Sequence, residues 1–227
     1  MKQIEMLVFA ASMLIFGLGV LIAIADQDMF RSFVIVEDGI LEWTTVLAIG
    51  AAAAVSFGRL VAGFRTFGPM KKFLLLSIVV LAIFGIGEEI SWGQRLLGFK
   101  APQWFFENNS QRELNVHNLV IGDVRFHKDV FPKVLLLFFL LYLGVFVPLY
   151  NNSAKIRRLA DTWGVPVPQN YQIVGYIAVI VIVEGFLKMA TDGLPRRGEL
   201  TEFMISIIVA LNIVYPRNRA IYSMEPT

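Results

Sequence analysis

The chain has no cysteine, only two histidines, and few charges for its length: 17% of its 227 residues are Asp, Glu, Lys or Arg. Without cysteine there is no disulfide, no thiolate metal ligand and no cysteine nucleophile. With His117 and His127 as the only imidazoles, a site built on several histidines is excluded too. Soluble domains carry about 25% charged residues, so the shortage of charge argues against a water-soluble fold. Alternating strand patterns of about ten residues, the mark of a membrane β-barrel, are missing as well. The net charge is only +2, which removes the basic surface that a nucleic-acid partner requires.

What is present is apolar. Hydrophobic residues make up 56% of the chain, 19 of them Phe, and the mean hydropathy is +0.65. They are collected in runs as long as a bilayer span needs, about 20 residues. The expected fold class is therefore all-α: a polytopic membrane helix bundle forming one integral membrane domain over 1–227. Six spans are expected, at about 6–25, 41–63, 72–90, 131–150, 171–191 and 200–216, each long enough to cross. The first run is longer than a signal-peptide core and has no A-x-A site, so it is expected to be retained. Membrane lipids, and other membrane-protein subunits, are the expected partners.

Charge orients the bundle by the positive-inside rule. Arg59, Arg65, Lys71 and Lys72 share one loop with no acid, and Lys155, Arg157 and Arg158 share another. Arg217 and Arg219 follow the sixth span, whereas Asp26, Asp28, Glu37 and Asp38 crowd the first loop. This pattern predicts cytoplasmic termini and, in a bacterium, an inner-membrane protein whose longest loop, 91–130, is periplasmic. A connection of that length is expected to hold structure of its own. Pro102 to Phe106, with Trp104 and Phe105, reads as an interfacial element. Ser110-Gln111-Arg112-Glu113 reads as a capping box opening a helix that Gly122 ends.

One segment stands out: Gly85-Ile86-Gly87-Glu88-Glu89-Ile90-Ser91-Trp92-Gly93-Gln94-Arg95. Adjacent carboxylates at a membrane boundary are costly, and function is one reason to keep them. If the helix continues, Glu88, Ser91, Trp92 and Arg95 share a face. Two carboxylates held together split their pKa values, which makes an acid and a base. On the expected loop helix, Glu113 and His117 fall at i and i+4, a spacing suited to metal ligation or to an oriented base. Glu42, Glu184 and Glu202 point to the same half of the bundle.

Each feature also has a plainer reading. Glu88 and Glu89 can mark the water boundary with Arg95 as ion-pair partner, and Glu113 and His117 can be a solvated face. Glu184 has Lys188 at i+4, an ordinary intrahelical pair. Trp43, Trp92 and Trp104 suit belt anchors, and His127 an exposed position.

The run Glu88-Glu89-Ile90-Ser91-Trp92-Gly93-Gln94-Arg95, followed by Glu113, Asn115 and His117-Asn118, resembles an uncharacterised group of bacterial polytopic inner-membrane proteins with an E-E-x-S-W-G-Q-R and E-x-N-x-H-N signature. The resemblance covers about 35 residues and implies a multi-pass inner-membrane bundle, with no activity attached. More loosely, Glu88, Glu89 and His117 resemble in type the residues of CAAX-protease-like glutamate intramembrane proteases. Arg95 stands six residues after Glu89 where that family has four, and no span here carries a histidine.

The functional expectation is an outward-facing polar site acting as a hydrolase or transferase on a membrane-embedded lipid or peptide. Glu88, Glu89, His117 and Arg95 are its candidate catalytic residues. Ser91, Trp92, Gln94, Asn115, Asn118 and Glu184 are candidate substrate contacts. Glu89, Glu113 and His117 are candidate ligands for a divalent metal. The alternatives are a structural or assembly subunit of a larger membrane complex, and a small transporter or proton path through Glu184.

Overall fold

The computed structural model describes residues 2–194 and 196–223. The protein is an all-α bundle. Its long helices are α1 (Lys2–Ala25), α2 (Ile40–Ala62) and α3 (Pro69–Glu89). A short α4 (Gln103–Asn108) lies in the long loop, and α5 (Phe126–Asn152) follows it. Then come α6 (Ala154–Trp163), α7 (Asn170–Ala190) and α8 (Gly198–Val214). Five of them, α1, α2, α3, α5 and α7, are long and apolar enough to cross a membrane. At 1.5 Å per residue each reaches beyond about 30 Å, the hydrocarbon thickness of a bilayer. This is a membrane protein.

The sixth expected span is present as α8, which is mostly buried. At 17 residues α8 is shorter than those five, and Leu200, Phe203, Met204, Ile207, Ile208 and Leu211 on it are buried. It forms the axis of the bundle, packed against α1, α2 and α7. Of its residues Glu202 alone is exposed, in the first turns beside the half-buried Glu199. Around it Phe16, Phe30, Tyr176, Leu187 and Phe203 make the main core.

Lipid gives little hydrophobic reward for helix association, so close packing must hold the bundle. Ala52 of α2 meets Ala210 and Ile213 of α8. A Cβ on Gly175 of α7 would lie 2.9 Å from the Phe9 ring and 3.1 Å from Ile208. The outer faces are apolar instead of polar. Leu135, Leu136, Leu137, Phe138, Leu140 and Leu141 of α5 are each about half exposed, which suits contact with acyl chains and not with water.

Two helices widen locally to π geometry, α5 over Leu140–Phe146 and α7 over Val181–Leu187. In α5 the cause is Pro148, which has no N–H to return to Gly144, so the ladder re-registers just before it. α6 is amphipathic and capped by Ser153, whose Oγ accepts from the Ile156 N–H at 3.4 Å. At the same end Arg59 donates to the Ile213 and Val214 carbonyls, a cation closing the C-terminus of α8. Lys71 Nζ likewise donates to the Ile221 carbonyl at 2.7 Å.

The long loop departs from expectation. No helix runs from Ser110 to Gly122. The side chain of Asn109 takes the amides that the helix needs: its Oδ1 accepts from Gln111 N at 2.9 Å and Glu113 N at 3.3 Å. This local competition defeats the capping box. Gly122, at φ +59°, is a turn residue in a hairpin of β1 (Val120–Ile121) and β2 (Val124–Arg125), where a positive φ suits glycine. The Pro102 to Phe106 element is present as α4, with Trp104 and Phe106 about half exposed.

Candidate functional site

α3 ends at Glu89, and the chain then turns through three consecutive left-handed residues: Ser91 (φ +47°), Trp92 (φ +54°) and Gly93 (φ +81°). For the two non-glycine residues this conformation is costly and must be held by its surroundings. Glu88, Ser91, Trp92 and Arg95 therefore do not share one helix face. They are gathered by the break instead. The indole Nε1 of Trp92 turns back and donates to Glu88 Oε1 at 3.0 Å.

The second oxygen of Glu88 accepts from two backbone amides across the loop, Val116 at 2.7 Å and His117 at 2.9 Å. Gln94 Oε1 accepts from the Leu114 amide at 2.6 Å. An irregular loop leaves such donors without secondary-structure partners, and these side chains satisfy them. Hydrogen bonds to a charged group contribute about 1.5–3 kcal/mol each, so Glu88 alone fastens the loop firmly.

Glu113 is buried and equally committed. Its carboxylate accepts from Ser91 Oγ at 2.6 Å, from Asn115 Nδ2 at 3.0 Å and from Arg95 Nη1 at 3.2 Å. Asn115 Nδ2 also donates to Ser91 Oγ, and Asn115 Oδ1 accepts from the Asn118 amide. Asn118 Nδ2 donates to Gln111 Oε1.

Arg95 is the hub. Its Nε donates to Asp38 at 3.1 Å, Nη1 to Glu113, and Nη2 to Glu42 and to the Glu89 carbonyl at 2.9 Å. Burial works against the guanidinium charge, but Glu42 and Glu113 outweigh it and hold Arg95 above its ordinary value. Every nitrogen of the fork is engaged within the protein, so Arg95, expected as a catalytic residue, is committed to holding the loop.

These contacts form a latch. The expected i, i+4 pairing of Glu113 with His117 is absent because no helix carries them: Glu113 points to Arg95, while the ring of His117 packs edge-on to Phe131 at 6.1 Å. The expected metal set of Glu89, Glu113 and His117 is not assembled. Among the described residues no three His, Asp or Glu side chains meet in a metal-ligating group, because Glu113 is spent on Arg95, Ser91 and Asn115.

Glu184 pairs with Arg197 at 2.8 Å and not with Lys188. Arg197 lies in the connection between α7 and α8. Glu184 lines a surface depression of about 520 Å³ with Lys188 and Asp192, to which Glu88, Glu89 and His117 do not contribute.

Two expected residues are left unspent. Among the described residues, neither the Glu89 carboxylate nor the His117 imidazole makes a side-chain hydrogen bond or ion pair. Burial lowers the His117 imidazole below its ordinary value, and the charges of Glu199, Glu88 and Glu113 recover only part of that loss. Glu199 is also within electrostatic reach of Glu89 and Glu202. The sequence reading missed Glu199. Its signal was the i, i+3 spacing from Glu202, which sets both acids on one face of the first turn of α8. Asp38 was likewise missed as a partner of Arg95.

Compared with known proteins, the chain matches no family model, no curated protein and no solved structure.

Proposed function

We propose that the protein works at the outer face of a bacterial inner membrane, with both chain ends cytoplasmic, as an acid/base hydrolase or transferase acting on a membrane-embedded lipid or peptide. The loops at one end, with Arg59, Arg65, Lys71 and Lys72 and with Lys155, Arg157 and Arg158, hold almost no acid, whereas most Asp and Glu lie at the other end, which supports the orientation. The catalytic reading rests on one observation. The latch uses both oxygens of Glu88 and every nitrogen of Arg95, yet among the described residues leaves the side chains of Glu89 and His117 without hydrogen-bond or ion-pair partners.

A scaffold that satisfies its polar groups and holds two free ones next to a structured loop resembles a preorganised site. In this reading Glu89 is the general base that takes a proton from water or a substrate hydroxyl. His117, neutral in its setting, relays a proton: one ring nitrogen accepts it as the other gives its own to the leaving group. The charge of Glu199 reaches both Glu89 and His117 and favours a substrate that brings a proton or positive charge. Glu88, Ser91, Arg95, Glu113 and Asn115 position these groups and do not touch the reacting atoms.

The test is complementation of a deletion strain, with the amount of folded protein measured for each variant. Glu89→Gln and His117→Ala are expected to abolish function at normal protein levels, while Glu88→Gln acts through lowered levels. Full function in both Glu89→Gln and His117→Ala would sink the catalytic reading.

The self-contained latch favours a second reading, a non-catalytic subunit whose loop is shaped for docking. A stoichiometric partner retained through mild detergent purification, together with functional Glu89→Gln, is its expected signature.

A further inference from the structure

At the basic end of the bundle, α6 presents three separate faces. Ala160, 5% exposed, turns toward the protein. So does Asp161, whose Oδ1 accepts from Tyr150 OH at 2.9 Å and from Asn218 Nδ2 at 2.8 Å. Leu159 and Trp163, at i and i+4 on a second face, are 45% and 42% exposed. Lys155 and Arg158 flank them, both exposed and, among the described residues, in no ion pair.

The helix joins the end of α5 to the start of α7, so it sits where two apolar helices leave the membrane. Its one acid is consumed inside, and the outward surface is therefore purely cationic beside an apolar ridge. An exposed Trp and Leu with a basic flank, at the level of the headgroups, is the arrangement of a helix lying in an interface.

We infer that α6 is a binding surface for anionic phospholipid, with Lys155 and Arg158 on the headgroup phosphates and Leu159 and Trp163 set among the upper acyl carbons. A zwitterionic headgroup offers no net charge to these residues, so the surface discriminates by charge. Each basic residue near an anionic surface is worth about fivefold in affinity.

The experiment uses the full chain purified in detergent and titrated with phosphatidylglycerol or phosphatidylcholine, each carrying brominated acyl chains that quench tryptophan. The four tryptophans are Trp43, Trp92, Trp104 and Trp163, and subtraction of the Trp163→Phe signal isolates the one on α6. Brominated phosphatidylglycerol is expected to quench the Trp163 signal at a several-fold lower lipid fraction than phosphatidylcholine. The double change Lys155→Glu with Arg158→Glu should erase that difference, and Lys155→Arg with Arg158→Lys should retain it.

Equal quenching by the two lipids overturns the inference, and so does a preference that survives the glutamate changes. No quenching by either lipid, with an acidic protein co-purifying on wild type and lost from the glutamate variant, also overturns it and assigns the face to a protein partner. Both glutamate positions are exposed and outside the core, so loss of the preference does not reflect loss of the fold.

Discussion

At the residue scale the central contrast is between neighbours. Glu88 accepts three hydrogen bonds and Glu89 accepts none with its side chain among the described residues. Glu88→Gln keeps the shape but turns one acceptor into a donor facing an N–H. It is expected to cost about 1–3 kcal/mol, measured as a lower unfolding midpoint in graded SDS. Arg95→Ala leaves Glu42, Glu113 and Asp38 without their cation and is expected to cost about 3 kcal/mol. Arg95→Lys should recover only part of this, because an ammonium cannot divide itself among three carboxylates in a fixed fork. His117 supplies a pH dependence. Its folded pKa lies below the unfolded one near 6.5, so the unfolded chain binds the proton more readily. Its contribution to stability is complete above that pH and is lost as pH falls through and below it. Thermal unfolding between neutral and mildly acidic pH should show this loss, and His117→Gln should reduce it.

At the element scale the break after α3 decides where the latch residues go. Gly87 faces the Trp92 ring, where an added Cβ would lie 2.9 Å from it. Gly87→Ala is therefore expected to push the indole off Glu88 and to raise proteolysis of the loop. In the bundle, Gly175→Ala should lower stability by about 1–3 kcal/mol through overpacking of α7 against Phe9 and Ile208, read as the same unfolding midpoint. The helices were legible in the sequence because a span signals itself over about 20 residues of hydropathy. The loop was not. Its shape depends on Glu88 reaching Val116, 28 residues away, and on Asn109 capturing amides that Ser110 was expected to organise. Local patterns report local competition poorly when a single side chain changes the outcome.

At the scale of the whole molecule, a short buried axis, α8, is wrapped by longer helices that meet lipid, and each end is finished differently. One end is closed by cations on carbonyls, with α6 lying beside it. The other is closed by the latch, which leaves Glu89, His117, Glu199 and Glu202 around the top of α3 and α8. The sequence indicated the convergence of acids at one end, since charge pattern and helix count suffice for that. It could not divide the acids into those that hold the loop and those that are free, because the division lies in hydrogen bonds between distant segments. Hydrogen–deuterium exchange across residues 109–119 tests that division most directly. Glu88→Gln should speed exchange at the Val116 and His117 amides and loosen the loop, whereas Glu89→Gln should leave the loop as protected as in the wild type. Equal protection in both variants, or a loop loosened by Glu89→Gln and not by Glu88→Gln, would contradict the account.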